Sequence, residues 1–588
     1  MKFETLSSYF EKLESTSSRL ALIDILSDLF KHSSKDEIEK IVYLTQGRIA
    51  PFFEATEIGM AEKSVASSIA AAYGSTKEEV LKLYQKLGDM GSVVTQLSSK
   101  FNTSISLSTR VQSSKLTVKE VFEILTEIAK TKGLGTVEKR QILLTGLLKK
   151  MDPISAKYLV RIPLGNLRLG IGDPTILDAL AKAKWGDKLK RKLLEGAYNR
   201  TSDLGLIAKT LNVSGLAAVQ KLKVMVGKPI RSERCERLPN AEKAIEKMGV
   251  VEAQPKYDGF RVQIHKDQDN VTMFSRNLEN MTHMFPELIK GTLKQVSAKS
   301  VILDTEALAY NPDSEEFLPF QETTKRRRKY QIEEMAKKLP LRAFVFDILF
   351  KDGKSLIDLP LKERIKILKE TLRQTQGKPD ILIFSETKII NDPKELNLML
   401  EDSISKGLEG VVIKKIDSPY EAGARNFNWV KLKRHSAGEL NDTIDCVILG
   451  YIGGKGKRTA FGAGALLVGV YDEKKDEFVS VSRIGTGLTD EEWKEIHKRA
   501  DKIKVDHKPA RVNSLISPFV WIKPEIVIEV LADEITRSPL HTAGKTDGEA
   551  GYALRFPRLV SFRGSDKRAE DATTVKELIE MYRQQGKK

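Results

Sequence analysis

Residues 254–265 read QPKYDGFRVQIH: a lysine, Lys256, then Asp258 and Gly259, then residues that alternate as in a strand. Lys256 therefore sits at a turn that opens a strand. A lysine amine is a useful nucleophile only when it loses a proton from an ordinary pKa of ~10.4, which calls for burial, neighbouring cations or a metal-bound phosphate. Taken alone, K-x-D-G is a weak signal, and a surface lysine before a turn accounts for it equally well. Around this turn, from Val250 onward, β-branched and aromatic runs (VQIH, VTMFS, VILDTEALAY, AFVFDILF, ILIFS, GVVIKK) are broken by Gly, Asp and Asn, the pattern of a mixed α/β domain.

Upstream of a change in character between Met225 and Leu238, the chain reads as helix after helix. Thr117 and Glu120 form a capping box, and Val118, Val121, Phe122, Leu125, Ile128 and Ala129 fall on one helical face. Further helical patterns run from Leu20 to Phe30, Val65 to Ala72 and Val137 to Leu148, while the Ser/Thr-rich stretch from Ser98 to Thr117 reads as an exposed loop. Arg161 and Arg168, set among small turns, suit a phosphate grip or a packed loop. Past a polar connector near Arg434 to Asn441, five short strands (DCVILGYI, GALLVGVYD, EFVSVSRIG, IVIEVLA, ALRFPRLVSF) suggest a small barrel. The expected domains are 1–225, all helical; 226–435, α/β; and 436–588, a β-barrel.

With 97 Lys and Arg against 80 Asp and Glu in 588 residues, the net charge of +17 points to a polyanionic partner or to an inert basic surface. Two cysteines, Cys235 and Cys446, exclude a disulfide framework and a four-cysteine zinc site. The first residues, MKFETLSSYFEKLESTSSRL, hold no basic segment followed by an apolar run, and no apolar stretch reaches the length of about 18 residues that spans a bilayer. A cytoplasmic, nucleoid-associated protein with no membrane partner is expected.

Beyond Lys256 come Arg261, then Ser275 to Asn277, LDTEALAY with Asp304 and Glu306, FVFDILF with Phe346 and Asp347, EGVVIKK with Glu409, Lys414 and Lys415, and NFNWVKLK with Lys431 and Lys433. In order and spacing these segments resemble the motif set of the covalent nucleotidyltransferases. The chain most closely resembles an ATP-dependent DNA ligase of the archaeal and eukaryotic replicative type. The resemblance extends to GRIAPFFEATEIGMAEK, YLVRIPLGNLRLGIGDPTILDAL, SPYEAGARNFNWVKLK, RIGTGLTDEEW and RFPRLVSFRGSDKRAEDATT. It implies an all-α DNA-binding domain, an α/β nucleotidyltransferase (adenylation) domain and a C-terminal OB-fold β-barrel, acting on nicked double-stranded DNA with ATP and Mg²⁺ as a monomer in replication, repair and recombination. Lys256 would carry the adenylate. Gln254, Arg261, Arg276, Glu306, Phe346, Arg425 and Lys431 would hold the nucleotide or the nick's phosphate, joined by Lys433 and Arg237. Glu306 and Glu409 would bind the metal, and Arg555, Arg558, Arg563 and Lys567 would orient the pyrophosphate.

The chain departs from the family in places. Gln254 stands where Glu is common, Phe260 where a polar residue is frequent, and R-G-S-D-K where R-x-D-K is usual, which leaves the roles of Asp566 and Lys567 open. The run KRRRK, Lys325 to Lys329, reads either as a solvated loop or as a DNA contact. The sliding clamp stays open as a partner, since the Ser98 to Thr117 stretch lacks the usual Q-x-x-hydrophobic-x-x-aromatic-aromatic pattern. An RNA ligase or mRNA-capping-type guanylyltransferase is the alternative, because these also use a K-x-D-G lysine. The long helical N-terminal part and the fit from Tyr420 to Lys433 argue against it.

Overall fold

The structure, a computed structural model, describes all residues except 105–114, 239, 312–315, 319, 329, 374–379, 406–407, 434–442, 453–464, 486–487, 489, 556, 564–566 and 585–588. The chain forms two compact units: Met1–Leu238, Ala244–Leu396 and Val411–Lys431 in one; Pro239–Lys243, Asn397–Gly410 and Leu432–Lys588 in the other.

The first unit begins with helices. At Val118–Lys130 the Glu120 N–H donates to Thr117 Oγ1 (3.2 Å) and the Thr117 N–H donates to the Glu120 carboxylate (2.8 Å), so two orphan donors at the helix start are satisfied reciprocally. Val118, Val121, Leu125 and Ile128 of this helix are buried. Helices Arg19–Lys31, Glu62–Tyr73 and Thr136–Leu148 lie where the periodicity predicts them. The expected loop is helical from Ser98 to Ser104. The helix Met90–Ser104 runs into it, anchored by buried Val93 and Val94 and by an edge contact between Phe101 and Tyr73, while 105–114 lie outside the described residues.

Arg161 does not grip phosphate. It is 2% exposed; its Nε and Nη2 donate to Asp89 (3.1 and 2.6 Å) and its Nη1 and Nη2 to Glu14 (2.9 and 3.1 Å). Burial alone would raise the Glu14 carboxyl, but hydrogen bonds from Arg161, Lys157 and Tyr158 outweigh it and hold the group at about 2. Arg168, in a left-handed backbone conformation, donates to the Gly88 carbonyl.

The α/β part of this unit carries two sheets. Its strands are β1 (Arg234–Arg237), β2 (Val251–Pro255), β3 (Phe260–Asp267), β4 (Asn270–Ser275), β5 (Ser300–Asn311), β6 (Glu316–Phe317), β7 (Leu341–Lys351), β8 (Lys354–Ser355), β9 (Leu382–Phe384), β10 (Lys388–Ile390), β11 (Gly410–Lys415) and β12 (Arg425–Lys433). One sheet runs β1-β12-β11-β2-β10; the other runs β4-β3-β5-β7-β8, with β6 on β5 and β9 on β7. Residues 256–259 are therefore the crossing from β2 in one sheet to β3 in the other. A Cβ on Gly259 would lie 2.3 Å from the Ala307 carbonyl oxygen, so the crossing admits only glycine there. Val224, Ile230, Ile302, Leu349, Tyr420 and Trp429 form a buried cluster that spans elements of both sheets.

The C-terminal unit holds β13 (Ile444–Ile452), β14 (Ala465–Asp472), β15 (Glu477–Ile484), β16 (Lys504–Val505), β17 (Val512–Asn513), β18 (Val520–Ile522), β19 (Val527–Leu531), β20 (Glu534–Ser538), β21 (Gly551–Arg555) and β22 (Arg558–Phe562). Its main sheet runs β16-β18-β13-β14-β15-β17, with β19 on β13 and β22 on β19. Register shifts at Ile448/Gly450, Val468/Gly469 and Glu529/Val530 curl it. The expected barrel is corrected to a curled half-barrel, since no strand pairing among the described residues closes the sheet. The stretch ALRFPRLVSF, expected as one strand, is two: β21 pairs with β20 as a separate ladder, and β22 pairs with β19. Pro557 has no N–H to continue a ladder, so the chain changes partner there. Among the described residues no helix is long and apolar enough to cross a membrane.

Arg161→Met is expected to cost about 3 kcal/mol by leaving buried Asp89 without its bidentate partner and Glu14 with only Lys157 and Tyr158. Thermal melts read this loss. A variant with wild-type stability but weakened nick binding would restore the phosphate-grip reading.

Candidate active site

Lys256 is half-buried in the crossing between the sheets. Tyr257 beside it stacks on Phe344 of β7, with centroids 3.8 Å apart and planes at 15°, and Gly259 closes the turn against Ala307 of β5. The turn is thus pinned on both sides of the lysine.

Cations converge here. The Cys235 thiol on β1 is pushed up by burial and pulled down by Arg261, Lys414, Lys256 and Lys431, so all four cations lie within electrostatic reach of it. The parallel pairing of β1 with β12 brings Arg237 opposite Lys431. Arg261 Nε donates to Asp304 (2.8 Å), its Nη1 to the Glu233 carbonyl (2.9 Å), and its Nη2 both to Asp304 and to the Tyr420 hydroxyl (3.1 Å). Four of the five guanidinium N–H groups are directed at these acceptors. Tyr420 in turn donates to Asp304 (2.9 Å) and accepts from the Glu233 N–H (3.1 Å). Glu306 sits on β5 opposite Arg261 on β3 and Phe344 on β7. Phe346, half-buried, lies 5.3 Å from the Arg261 guanidinium and 4.7 Å from Lys414 Nζ. Lys414 is buried and its amine is pushed down by desolvation.

The expected residues fall into an inner and an outer group. Lys256, Gln254, Arg261, Glu306, Phe346 and Lys431 lie on or next to β2, β3, β5, β7 and β12, and Glu409 directly precedes β11. Arg276, Arg425 and Arg237 are exposed, at the turn after β4, the start of β12 and the end of β1. The side chain of Lys433 and the whole of Asp566 lie outside the described residues. In the C-terminal unit Arg555 pairs with Glu534 (2.9 Å), Arg558 with Asp533 (2.8 Å), and Arg563 (2.7 Å) and Lys567 both with Asp445. The KRRRK run is largely tied down within the first unit: Lys325 pairs with Glu322, Arg327 with Glu279, and Arg326, only 1% exposed, with Glu287 at 2.6 Å. No group of three or more His, Cys, Asp or Glu among the described residues is arranged to hold a metal by itself. Glu306 offers a hard oxygen of the kind Mg²⁺ takes, an ion that draws most of its remaining ligands from water and phosphates.

Sequence reasoning missed several buried polar groups. Arg364 lies in the helix Leu361–Thr371, whose sequence reads as solvated, yet it is buried and donates to both oxygens of Asp347 (2.8 and 3.0 Å). His265 accepts from the Gly227 N–H at Nδ1 (3.0 Å), so Nε2 carries the proton and donates to Gln263 (2.9 Å); burial holds its pKa down at about 3. Glu233 is wholly buried and pushed up to about 8, first by desolvation, so it is largely neutral at pH 7. One of its oxygens accepts from the Glu421 N–H (2.9 Å); the other has no hydrogen-bond partner. His265 lies within the quoted strand; Arg364, in a helix, and Glu233, ahead of β1, carried no local signal.

A lysine in a pinned crossing, with Arg261, Lys414 and Lys431 in the same electrostatic neighbourhood and Glu306 on β5, suits phosphate chemistry. Residues 232–433 match the family model described as ATP dependent DNA ligase domain, 2–181 the DNA ligase N terminus and 459–567 the ATP dependent DNA ligase C terminal region. The chain is 48% identical over 587 residues to a probable DNA ligase of Dictyoglomus turgidum, covering all of this chain and 98% of that one. It is 41% identical over 600 residues to a DNA ligase of Sulfolobus acidocaldarius, covering all of this chain and 99% of the relative. A solved structure described as Pmar-Lig_PreS3 shares the fold at a TM-score of 0.51 and 16% identity, over 95% of this chain and 99% of that one. The chain belongs to the ATP-dependent DNA ligase family, enzymes that form phosphodiester bonds at nicks through an adenylate intermediate.

Glu233 ionises near 4.5 when unfolded and near 8 when folded, so unfolding releases a proton and stability falls as pH rises through this window. Glu233→Gln keeps the neutral shape. Its thermal midpoint should exceed that of wild type by a few degrees at pH 8 and converge toward it near pH 5. An equal difference at both pH values would contradict a neutral Glu233.

Proposed function

We propose that Lys256 carries the adenylate in a three-step sealing of nicked double-stranded DNA. Lys256 Nζ, having given up a proton, attacks the α-phosphorus of ATP; the N–P bond forms, the bond to the bridging oxygen breaks and pyrophosphate leaves. The nick's 5′-phosphate oxygen then takes the AMP from the lysine. The 3′-hydroxyl attacks that 5′-phosphorus, loses its proton and releases AMP.

The observation that carries this reading is that Lys256, Arg261, Lys414 and Lys431 all lie within electrostatic reach of Cys235, because a group of cations attracts a polyphosphate. In this reading Phe346 stacks on adenine and Gln254 meets its edge. Arg261 offers its remaining N–H to the nucleotide, and Arg425, Lys431, Lys433 and Arg237 hold phosphates. Arg276 meets the nick's 5′-phosphate, where a planar fork of donors suits phosphate. Glu306 and Glu409 would hold Mg²⁺, whose charge offsets the repulsion between phosphate and an incoming nucleophile. Residues 1–225 bind DNA, 226–435 carry adenylation, and 436–588 supply the OB-type module, whose curled sheet stays open. The chain works as a monomer at the nucleoid in replication, repair and recombination.

Incubation with α-labelled ATP and Mg²⁺ followed by denaturation should leave label on the wild-type chain and none on Lys256→Ala, and a nicked duplex should chase the label onto DNA. Equal labelling of the variant would sink the covalent reading. Labelling by α-labelled GTP in place of ATP would favour the capping-type alternative. Nick affinity should fall steeply with salt, with a log–log slope of roughly −0.9 per phosphate contacted; a flat response would contradict a phosphate grip.

A further inference from the structure

On β2, Glu252 and Gln254 are two residues apart and share a face of the strand. Both are buried, at 2% and 3% exposure, and Gln254 Nε2 donates to Glu252 Oε1 at 2.6 Å. Across the antiparallel ladder, Lys414 of β11 stands opposite Glu252, and Val412 opposite Gln254. Lys414 Nζ donates to the Phe346 carbonyl (3.2 Å) and lies 4.2 Å from the Trp429 ring, so its charge is held close to the strand.

A glutamine amide is nearly symmetric in shape: a half-turn exchanges its oxygen for its NH₂ with no change in packing. What orients it is the chemistry of its neighbours. An ionised carboxylate can only accept, so it draws the NH₂ to itself with a charge-assisted bond and sends the amide oxygen the other way. We propose that Glu252 is a positioning residue for base selection, which turns the Gln254 carbonyl oxygen toward the purine edge and so favours a base with an amine there, adenine, over one with a carbonyl, hypoxanthine or guanine. This rests on the reading that Gln254 meets the base.

The carboxyl is poised. Desolvation raises it, Lys414 lowers it, Asp347 on β7 raises it, and the Gln254 hydrogen bond and Arg364 in Leu361–Thr371 lower it, with a balance at about 6. Protonated Glu252 can donate as well as accept, and the amide then loses its enforced orientation. Base selection is therefore present above about pH 6 and fades as pH falls through that value.

The test uses the full-length enzyme and single-turnover enzyme–AMP formation, with ATP and ITP as probes. It compares the ATP-to-ITP ratio of kobs/Kd in wild type, Glu252→Gln and Gln254→Ala. The ratio, unlike an absolute rate, is not moved by a merely structural role. Glu252→Gln is expected to lower it about tenfold, the worth of one directed hydrogen bond. The wild-type ratio should drop between pH 7.5 and 5.5, and the Glu252→Gln ratio should stay flat. If Gln254→Ala lowers the ratio while Glu252→Gln keeps the wild-type value and the wild type shows no pH dependence, the positioning role is overturned and Gln254 still reads the base. A ratio unmoved by Gln254→Ala overturns both. The wild-type pH profile needs no variant and keeps the test decisive if Glu252→Gln fails to fold.

Discussion

The bidentate pair between Arg261 and Asp304 organises the catalytic half of this enzyme. One guanidinium reaches β3, β5, the backbone leading into β1 and the tyrosine that precedes β12. Those elements come from both sheets, so the pair sets the two in register around the crossing that presents Lys256. Asp304 has no exposure, and an uncompensated charge there would cost several kcal/mol; its two partners, Arg261 and Tyr420, donate to both of its oxygens. Phe346 and Trp429 lie within about 5.5 Å of the same guanidinium, so aromatic rings border the charged pair.

Buried charge in paired form recurs through the first unit. Arg161 with Glu14 and Asp89, Arg364 with Asp347 and Arg326 with Glu287 each place a guanidinium inside the fold. These arginines count toward the net +17 but offer nothing to a polyanion, because their donors already face carboxylates. The positive field available to DNA comes from the exposed remainder, such as Arg237, Arg276 and Arg425. Net charge is a guide to association, whereas its placement decides which cations take part.

Local rules read well where local energies decide. The Thr117 capping box and the apolar face behind it were visible because both depend on residues within one or two turns of each other. The glycine of K-x-D-G stood out as a residue type, but its reason, a carbonyl from β5 pressed against its α-carbon, joins positions 48 apart. Arg161 and the KRRRK run were left open for the same cause: an arginine's role depends on carboxylates that approach from distant segments, such as Glu14 and Asp89. The expected barrel failed at Pro557, where one apolar run became two strands with different partners, because pairing is a choice among distant edges and not a property of the run.

The sequence by itself determined the kind of enzyme, since ordered lysines, arginines and carboxylates embedded in strand patterns are a linear record of a phosphate-transfer site. It also determined the helical start and the α/β centre, because periodicity is written along the chain. Only the tertiary structure decided which cations gather in the electrostatic neighbourhood of Lys256, which are locked in ion pairs, and that buried Glu252, with Lys414 opposite it, is the partner of Gln254. Burial and charge compensation act between residues that are near in space and far apart in sequence, so their outcome exists only once the two sheets have come together.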